Sequence, residues 1–442
     1  MSRIALLLAL GGVALGALLP SHVSAQGWLA DRSRAQGPGF RVGNLEIHPG
    51  LGIEAGYDSN LFYEDSNEDS SFLLRVTGHV LLSTLTQQRQ DEGETEGDAA
   101  PKLRFNAGAS ASYFYFGNNR AGDNVSVDGF FDLTFNPEGR FVFRLYDSLG
   151  RSIRPFADAP PEGEAPRYGR VSNQAGADLT LQSDGRTLSA TLGYRFDLDF
   201  FEDESFDQLN SFNHLVSLAF NWRFFPNTAL VSRTEASFQN YYNESPTEPG
   251  ALVVDNRRVR HWLGVNGAIT DRIGFTAMVG SGAGFFENDS TDDFDNVLVH
   301  TELQYSPRRT VQLRLGYRRD FRSSFIGNFT RSNRIYLGGQ VLVGSSFLLG
   351  AQTAVSFDQS GQALDPDGDA LGNQINRSDT RFFANLFAEY RFTDWLALNA
   401  SFGYTADFTD FVFNDPSTEL TYPDAPAGFN KIEAWLGLRV FY

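Results

Sequence analysis

The 442-residue chain has no cysteine, which excludes disulfides, thiolate metal sites, a cysteine nucleophile and a lipid-modified N-terminal cysteine. It has only two lysines, Lys102 and Lys431, so nearly all cationic work falls to arginine. The 36 Lys and Arg against 54 Asp and Glu leave a net charge of −18, which argues against nucleic acid as a partner because that role needs a basic face. Beyond the first 25 residues no run approaches the roughly 18 apolar residues of a membrane helix. Helical periodicity is absent as well. There is no G-x-S-x-G, H-E-x-x-H or phosphate-binding loop. Of the six histidines, His22 lies in the leader, His214 and His261 fall on apolar series, and His48 sits beside Pro49. Only His79 and His300 fall on a polar series, where a hydrogen-bonding role is the simpler reading. No catalytic residue, metal site or cofactor is therefore expected, and the chain is not predicted to be an enzyme.

What is present begins with a secretory leader over residues 1–25. Arg3 supplies the charge, Ile4–Leu19 the apolar core, and Val23-Ser-Ala25 a small-residue cleavage site. After residue 46 the dominant pattern is apolar/other alternation, the period-2 signature of strands. In 188–200, Leu188, Ala190, Leu192, Tyr194, Phe196, Leu198 and Phe200 alternate with Ser189, Thr191, Gly193, Arg195, Asp197 and Asp199. The spacing predicts about eighteen strands: 47–57, 71–84, 102–116, 124–136, 140–150, 170–183, 187–200, 211–224, 228–242, 257–269, 272–286, 296–306, 309–322, 331–343, 346–358, 380–392, 395–408 and 430–442. Their connections alternate in length. Tight turn sequences such as Asn136-Pro-Glu-Gly-Arg140, Ser183-Asp-Gly-Arg186 and Thr270-Asp-Arg272 mark one side. Long polar stretches such as 58–70, 151–169, 359–379 and 409–429 mark the other. One connection disobeys: the acidic stretch 85–101 falls where a tight turn is due.

Strands of this length, with short turns at one end and long loops at the other, predict an all-β, antiparallel, up-and-down transmembrane barrel with an even strand number and both termini periplasmic. The implied division is a leader (1–25), a periplasmic segment (26–46) and an outer-membrane barrel (47–442). Aromatics make up 14% of the chain, and Tyr113, Tyr115, Phe196, Phe200, Trp222, Phe224, Tyr390, Phe392 and Tyr442 fall near strand ends, as interfacial girdles do. The apolar face is then the lipid face. The opposite face offers lumen-lining and selectivity candidates: Arg144, Arg195, Arg223, Arg233, Arg258, Arg260, Arg314, Arg318, Arg334 and Arg391, with Asp128, Asp132, Asp178, Asp197, Glu235, Glu302 and Glu389. A barrel of 16–18 strands is wide enough to hold water, and such charges can set its field. Many of them are equally readable as neighbouring-strand ion pairs satisfying one another.

The chain ends Trp435-Leu-Gly-Leu-Arg-Val-Phe-Tyr442, which resembles the closing strand of bacterial outer-membrane barrels with its terminal aromatic. The stretch Leu51-Gly-Ile-Glu-Ala-Gly-Tyr-Asp-Ser-Asn-Leu-Phe62 resembles the opening of the β-barrel porin type 2 family, and Asp379–Leu396 is similar to its penultimate hairpin. That resemblance implies Tyr442 as the barrel-closing signal met by the barrel-assembly machinery. It also implies a surround of outer-membrane lipid and lipopolysaccharide, and an association with exopolysaccharide secretion. The leading expectation is thus an outer-membrane conduit for exported polysaccharide, supplied by a periplasmic polysaccharide-export protein. The alternatives are a general diffusion porin for small solutes and a structural or surface-adhesive barrel. A long loop folded inward as a constriction, with 151–169 and 359–379 as candidates, would favour the porin. An open lumen would favour export.

Overall fold

The structure is a computed structural model that describes residues 39–84, 102–118, 121–152, 169–202, 204–242, 254–287, 293–324, 328–344, 346–362, 374–413 and 425–442. The predicted leader and the whole of the 85–101 insertion lie outside the described residues. Eighteen long strands form the barrel: β1 Leu45–Asp58, β2 Ser71–Thr84, β3 Leu103–Phe116, β4 Asn124–Phe135, β5 Phe141–Ser152 and β6 Arg170–Gln182. They continue as β7 Leu188–Phe201, β8 Ser211–Phe225, β9 Thr228–Tyr241, β10 Asn256–Thr270, β11 Ile273–Phe286 and β12 Phe294–Arg308. The last six are β13 Val311–Ser323, β14 Phe329–Val343, β15 Phe347–Ser360, β16 Arg377–Thr393, β17 Leu396–Thr409 and β18 Phe429–Phe441. Each pairs antiparallel with the next, and β18 also pairs with β1, from Gly50 opposite Phe441 to Asp58 opposite Glu433. The sheet is closed, so every strand has two neighbours and no barrel strand is left as an edge.

The burial pattern is inverted relative to a water-soluble protein. Along β18, Leu436 and Leu438 are 56% and 51% exposed, whereas Arg439 between Leu438 and Val440 is 1% exposed. Outward-facing leucines and valines are tolerable only against lipid, and this inversion is the opposite of a water-soluble β-sandwich, whose apolar faces meet inside. The exposed residues are also zoned. Phe141, Trp222, Phe347, Tyr390 and Tyr442 ring the short-turn end, and Tyr57, Phe72, Tyr115, Phe238 and Phe357 ring the loop end. On β15 the two rings are Phe347 and Phe357. Ten residues at ~3.4 Å each, tilted by ~40°, put them about 26 Å apart along the membrane normal, matching an apolar band about 25 Å tall.

The tight turns form as their residues dictate. Asn136 adopts φ 52°, the left-handed region that asparagine tolerates, and its amide donates to the carbonyl of Phe141 at 3.0 Å. Both barrel termini lie at this end: the Phe441 amide donates to the Trp395 carbonyl, and the Tyr442 amide to that of Pro49. A short strand, Phe40–Val42, folds back on Leu45–Ile47 and stacks Phe40 on Tyr442 with ring centroids 4.2 Å apart. β1 thus starts two residues before the predicted position, and part of the expected N-terminal segment is ordered against the barrel's closing strand.

Candidate functional site

The inward face is a wall of arginine–carboxylate contacts. On β16 to β2, Arg439 and Arg391 meet Glu389 at 2.6 and 3.2 Å, and Arg391 lies over the Phe441 ring. Glu54 accepts from both Arg75 (2.6 Å) and Asn399, while Arg75 covers the Trp435 ring at 4.3 Å. Arg377 and Arg381 share Asp379 and Asp407 nearer the loop end. These long side chains lie flat along the wall. Each of their carboxylates meets at least one arginine, which is what makes burial of so many charges tolerable.

The remaining candidates lie on the other side. Arg144 bridges Asp132 (2.8 Å) and Asp178 (3.5 Å), and Arg195 pairs with Asp197 at 2.7 Å. Asp128 is half-buried beside Gly150 on the inner face. Arg233 meets Glu235 at 2.7 Å, Arg258 donates to Gln239 at 2.9 Å, and Arg260 and Arg318 converge on Asp320 at 3.4 and 2.7 Å. Arg314 lies over Tyr336, whose hydroxyl donates to Glu302 at 2.6 Å, and Arg334 stands in register beside Arg318. Arg223 is exposed near the turn end. Thus the acidic candidates concentrate on β4 to β7 and the arginines on β9 to β14. His79 and His300 face inward and His214 and His261 outward, as alternation implied. His48 is also inward, because it shares the parity of Glu54. Sequence reasoning missed Glu54, Arg75, Arg377, Asp379, Arg381, Asp407 and Asp320, although alternation within their own strands places each on the polar series.

The wall parts between β12 and β13 near the loop end. The β12–β13 ladder stops at Val299 opposite Arg319, yet β13 continues paired with β14 through Ser323 opposite Phe329. The β13–β14 tip therefore peels away from β12. Arg319 fills the seam, donating to the Asn296 side chain at 2.9 Å and to the Val297 carbonyl at 3.1 Å, which satisfies backbone that the parting strands leave unpaired. The tip swings into the lumen. Ser323 donates to Gln239 on β9 at 3.1 Å and to Asn256 on β10 at 3.4 Å. β9 is four strands from β13, roughly 19 Å along the wall at ~4.8 Å per strand.

An apolar key holds the tip there. Phe321 is 4% exposed and packs with Trp262 and Leu298, with Met278 and Phe294 at the margin. Phe294 stacks on Phe329 with centroids 3.6 Å apart, and the Arg260 guanidinium donates to the Phe321 carbonyl. Glycine makes the room: a Cβ at Gly282 on β11 would lie 2.5 Å from the Phe321 ring. The connections at 151–169 and 359–379, expected as constriction candidates, fall largely outside the described residues. The inward segment is instead the tip of β13 and β14, whose residue Phe321 was expected within the wall strand 309–322.

A closed eighteen-strand barrel with a lipid-facing belt, aromatic girdles and a charged interior is an outer-membrane β-barrel, and the outer membrane is its location. No protein-family model matches the chain, and no curated protein matches it significantly. Solved structures similar to it include Pseudomonas aeruginosa OccK11 (OpdR), at 12% identity over 90% of this chain and 96% of that one, with a TM-score of 0.42. Pseudomonas aeruginosa OccK2 (OpdF) in complex with glucuronate is 10% identical over 89% and 98%, with a TM-score of 0.45. The FrpB iron transporter from Neisseria meningitidis is 9% identical over 95% and 83%, with a TM-score of 0.44. At that level of similarity nothing transfers from those proteins to this one.

Proposed function

We propose that the protein is a passive outer-membrane channel for small polar solutes, with the inward β13–β14 tip as its constriction. The observation behind this is the docking of Ser323 and Phe321 on β9, β10 and β12. A segment folded into the lumen narrows a barrel that would otherwise admit bulky molecules, and it concentrates selection at one level. There Arg260 and Arg318 converge on Asp320, so a permeating solute meets fixed charges of both signs while it is least hydrated. The polysaccharide conduit expected from the sequence has two resembling stretches behind it. Among the described residues no feature of the lumen favours it, and an inward tip is the feature expected of a porin. The test is reconstitution. Planar-bilayer conductance together with swelling of liposomes in small sugars and amino acids is expected. No conductance would overturn the channel. Deletion that abolishes surface polymer but leaves small-solute uptake unchanged would return the reading to export.

A further inference from the structure

The lipid-facing belt is not uniform. Among the described residues, outward positions on β14 to β18 and on β1 to β4 carry no acid, base or imidazole away from the strand ends. Arg319 on β13 is turned into the seam beside β12. The remaining exceptions fall in one sector: Asp147 on β5, His261 on β10 and, level with the loop-end girdle opposite Phe238, His214 on β8. Asp147 accepts from Asn173 on β6 at 3.1 and 3.2 Å, the Tyr194 hydroxyl bonds His214 Nδ1 at 2.8 Å, and the Thr234 hydroxyl bonds His261 Nδ1 at 2.9 Å. Small outward residues lie between and beside them, with Ala175 in register between Asp147 and Phe196.

Their height matters. Asp147 is six residues above Phe141 of the turn-end girdle, and His261 is eight above the exposed Ile269. At ~3.4 Å per residue and ~40° tilt these are about 16 and 21 Å up a belt about 25 Å tall, within hydrocarbon. A charged or imidazole group there is costly against acyl chains unless it is covered by protein. Each imidazole spends Nδ1 on its own neighbour and leaves Nε2 for a partner.

We propose that the outer face of β5 to β10 is an interface with a second copy of this chain. Complementarity picks out that occupant. One edge of the sector presents a carboxylate held by an amide, and the other presents the His261 imidazole held by a hydroxyl, with His214 beside it at the girdle. Two copies of the same sector therefore supply each other's missing donor and acceptor, and symmetric self-association is the commonest way for a chain to cover its own polar patch. The small outward residues Ala175 and Ala177 on β6 allow close approach along that strand.

Ala175→Trp tests this, with Leu436→Trp on the opposite side of the barrel as control. A tryptophan facing lipid is harmless, whereas one inside an interface forces the copies apart. The particle mass of the protein, extracted in mild detergent and captured in lipid nanodiscs, is read by native mass spectrometry, and heat-modifiable gel mobility verifies that each variant is a folded barrel. The wild type and Leu436→Trp are expected as multiples of the chain, and Ala175→Trp as single chains. Asp147→Asn, which keeps the shape, is expected to lower the multimer fraction at least fivefold on dilution. A wild type that is a single chain in both media overturns the proposal, as does an Ala175→Trp particle of unchanged size. A complex with a different protein on this face overturns the choice of partner. None of these results depends on whether the barrel conducts.

Discussion

Removing the Phe321 ring tests the constriction most directly, because that ring is the buried centre of the apolar contact holding the tip. A buried aromatic hides about 150–250 Å², worth roughly 4–6 kcal/mol at ~25 cal/mol per Å² as an upper bound. Measured Phe→Ala changes in cores cost about 3–5 kcal/mol. The polar bonds from Ser323 to Gln239 and Asn256, and from Arg260 to the Phe321 carbonyl, survive the substitution and retain about 1 kcal/mol each at most. Losing about 3 kcal/mol of docking raises the undocked-to-docked ratio on the order of 100-fold, at tenfold per 1.4 kcal/mol. Phe321→Ala single-channel records are therefore expected to gain a higher conductance level with frequent transitions, and Phe321→Leu, which largely conserves volume, to resemble the wild type. Gly282→Val attacks the same contact from the other side, since even a Cβ there would sit 2.5 Å from the ring. It should give the same extra level. A folded Phe321→Ala barrel with an unchanged conductance histogram would refute the docked tip as the element that limits flow.

Three further outcomes follow from the charged wall. Arg233 and Arg318 each leave about half of the side chain exposed to the lumen (48% in both), so Arg233→Gln with Arg318→Gln should shift the reversal potential in a salt gradient toward cation preference without altering stability. An unchanged potential would show that these groups do not face the conducting path. Arg439→Leu leaves the buried Glu389 short of a partner in the closing seam and should cost about 3–5 kcal/mol in urea unfolding of the folded barrel; a loss below about 1 kcal/mol would contradict the seam as described. Beyond the end of β7, the Arg151 guanidinium holds the Glu202 carboxyl below its usual range. A depressed carboxylate stabilises the fold above its unfolded value near ~4.3, and that contribution is lost as pH falls through the lower folded value. Glu202→Gln should therefore flatten the acid limb of barrel stability below about pH 4, and an unchanged limb in that variant would discount the pair.

Alternation made the strands legible because lipid on one side and water or paired charge on the other impose a strict period of two over every crossing. The predicted 309–322, 380–392 and 430–442 are observed as Val311–Ser323, Arg377–Thr393 and Phe429–Phe441, displaced by three residues at most and only at strand ends. Alternation failed where a strand leaves the wall. Phe321 has outward parity in β13 but is buried inside the barrel, because the tip has folded inward and its outer face now packs on the inner face of β10 to β12. Parity states which face of a strand a residue is on. It does not state where that face points once the strand departs from the cylinder.

The signal for that departure was in the partner strands rather than in the tip. β11 carries Gly280, Gly282 and Gly284 in succession at inward positions, leaving a trough where other strands present arginine, tyrosine or glutamine. Beside it, Trp262, Phe294 and Leu298 occupy inward positions that water would disfavour. A smooth inner trough flanked by large apolar side chains, in a lumen otherwise built from ion pairs, must be covered by something apolar. Within reach of β12, the first hairpin able to cover it is β13–β14, whose Phe321 stands two residues from the strand's end. The glycines and the aromatics are thus two halves of one device, and substituting either half should free the same tip.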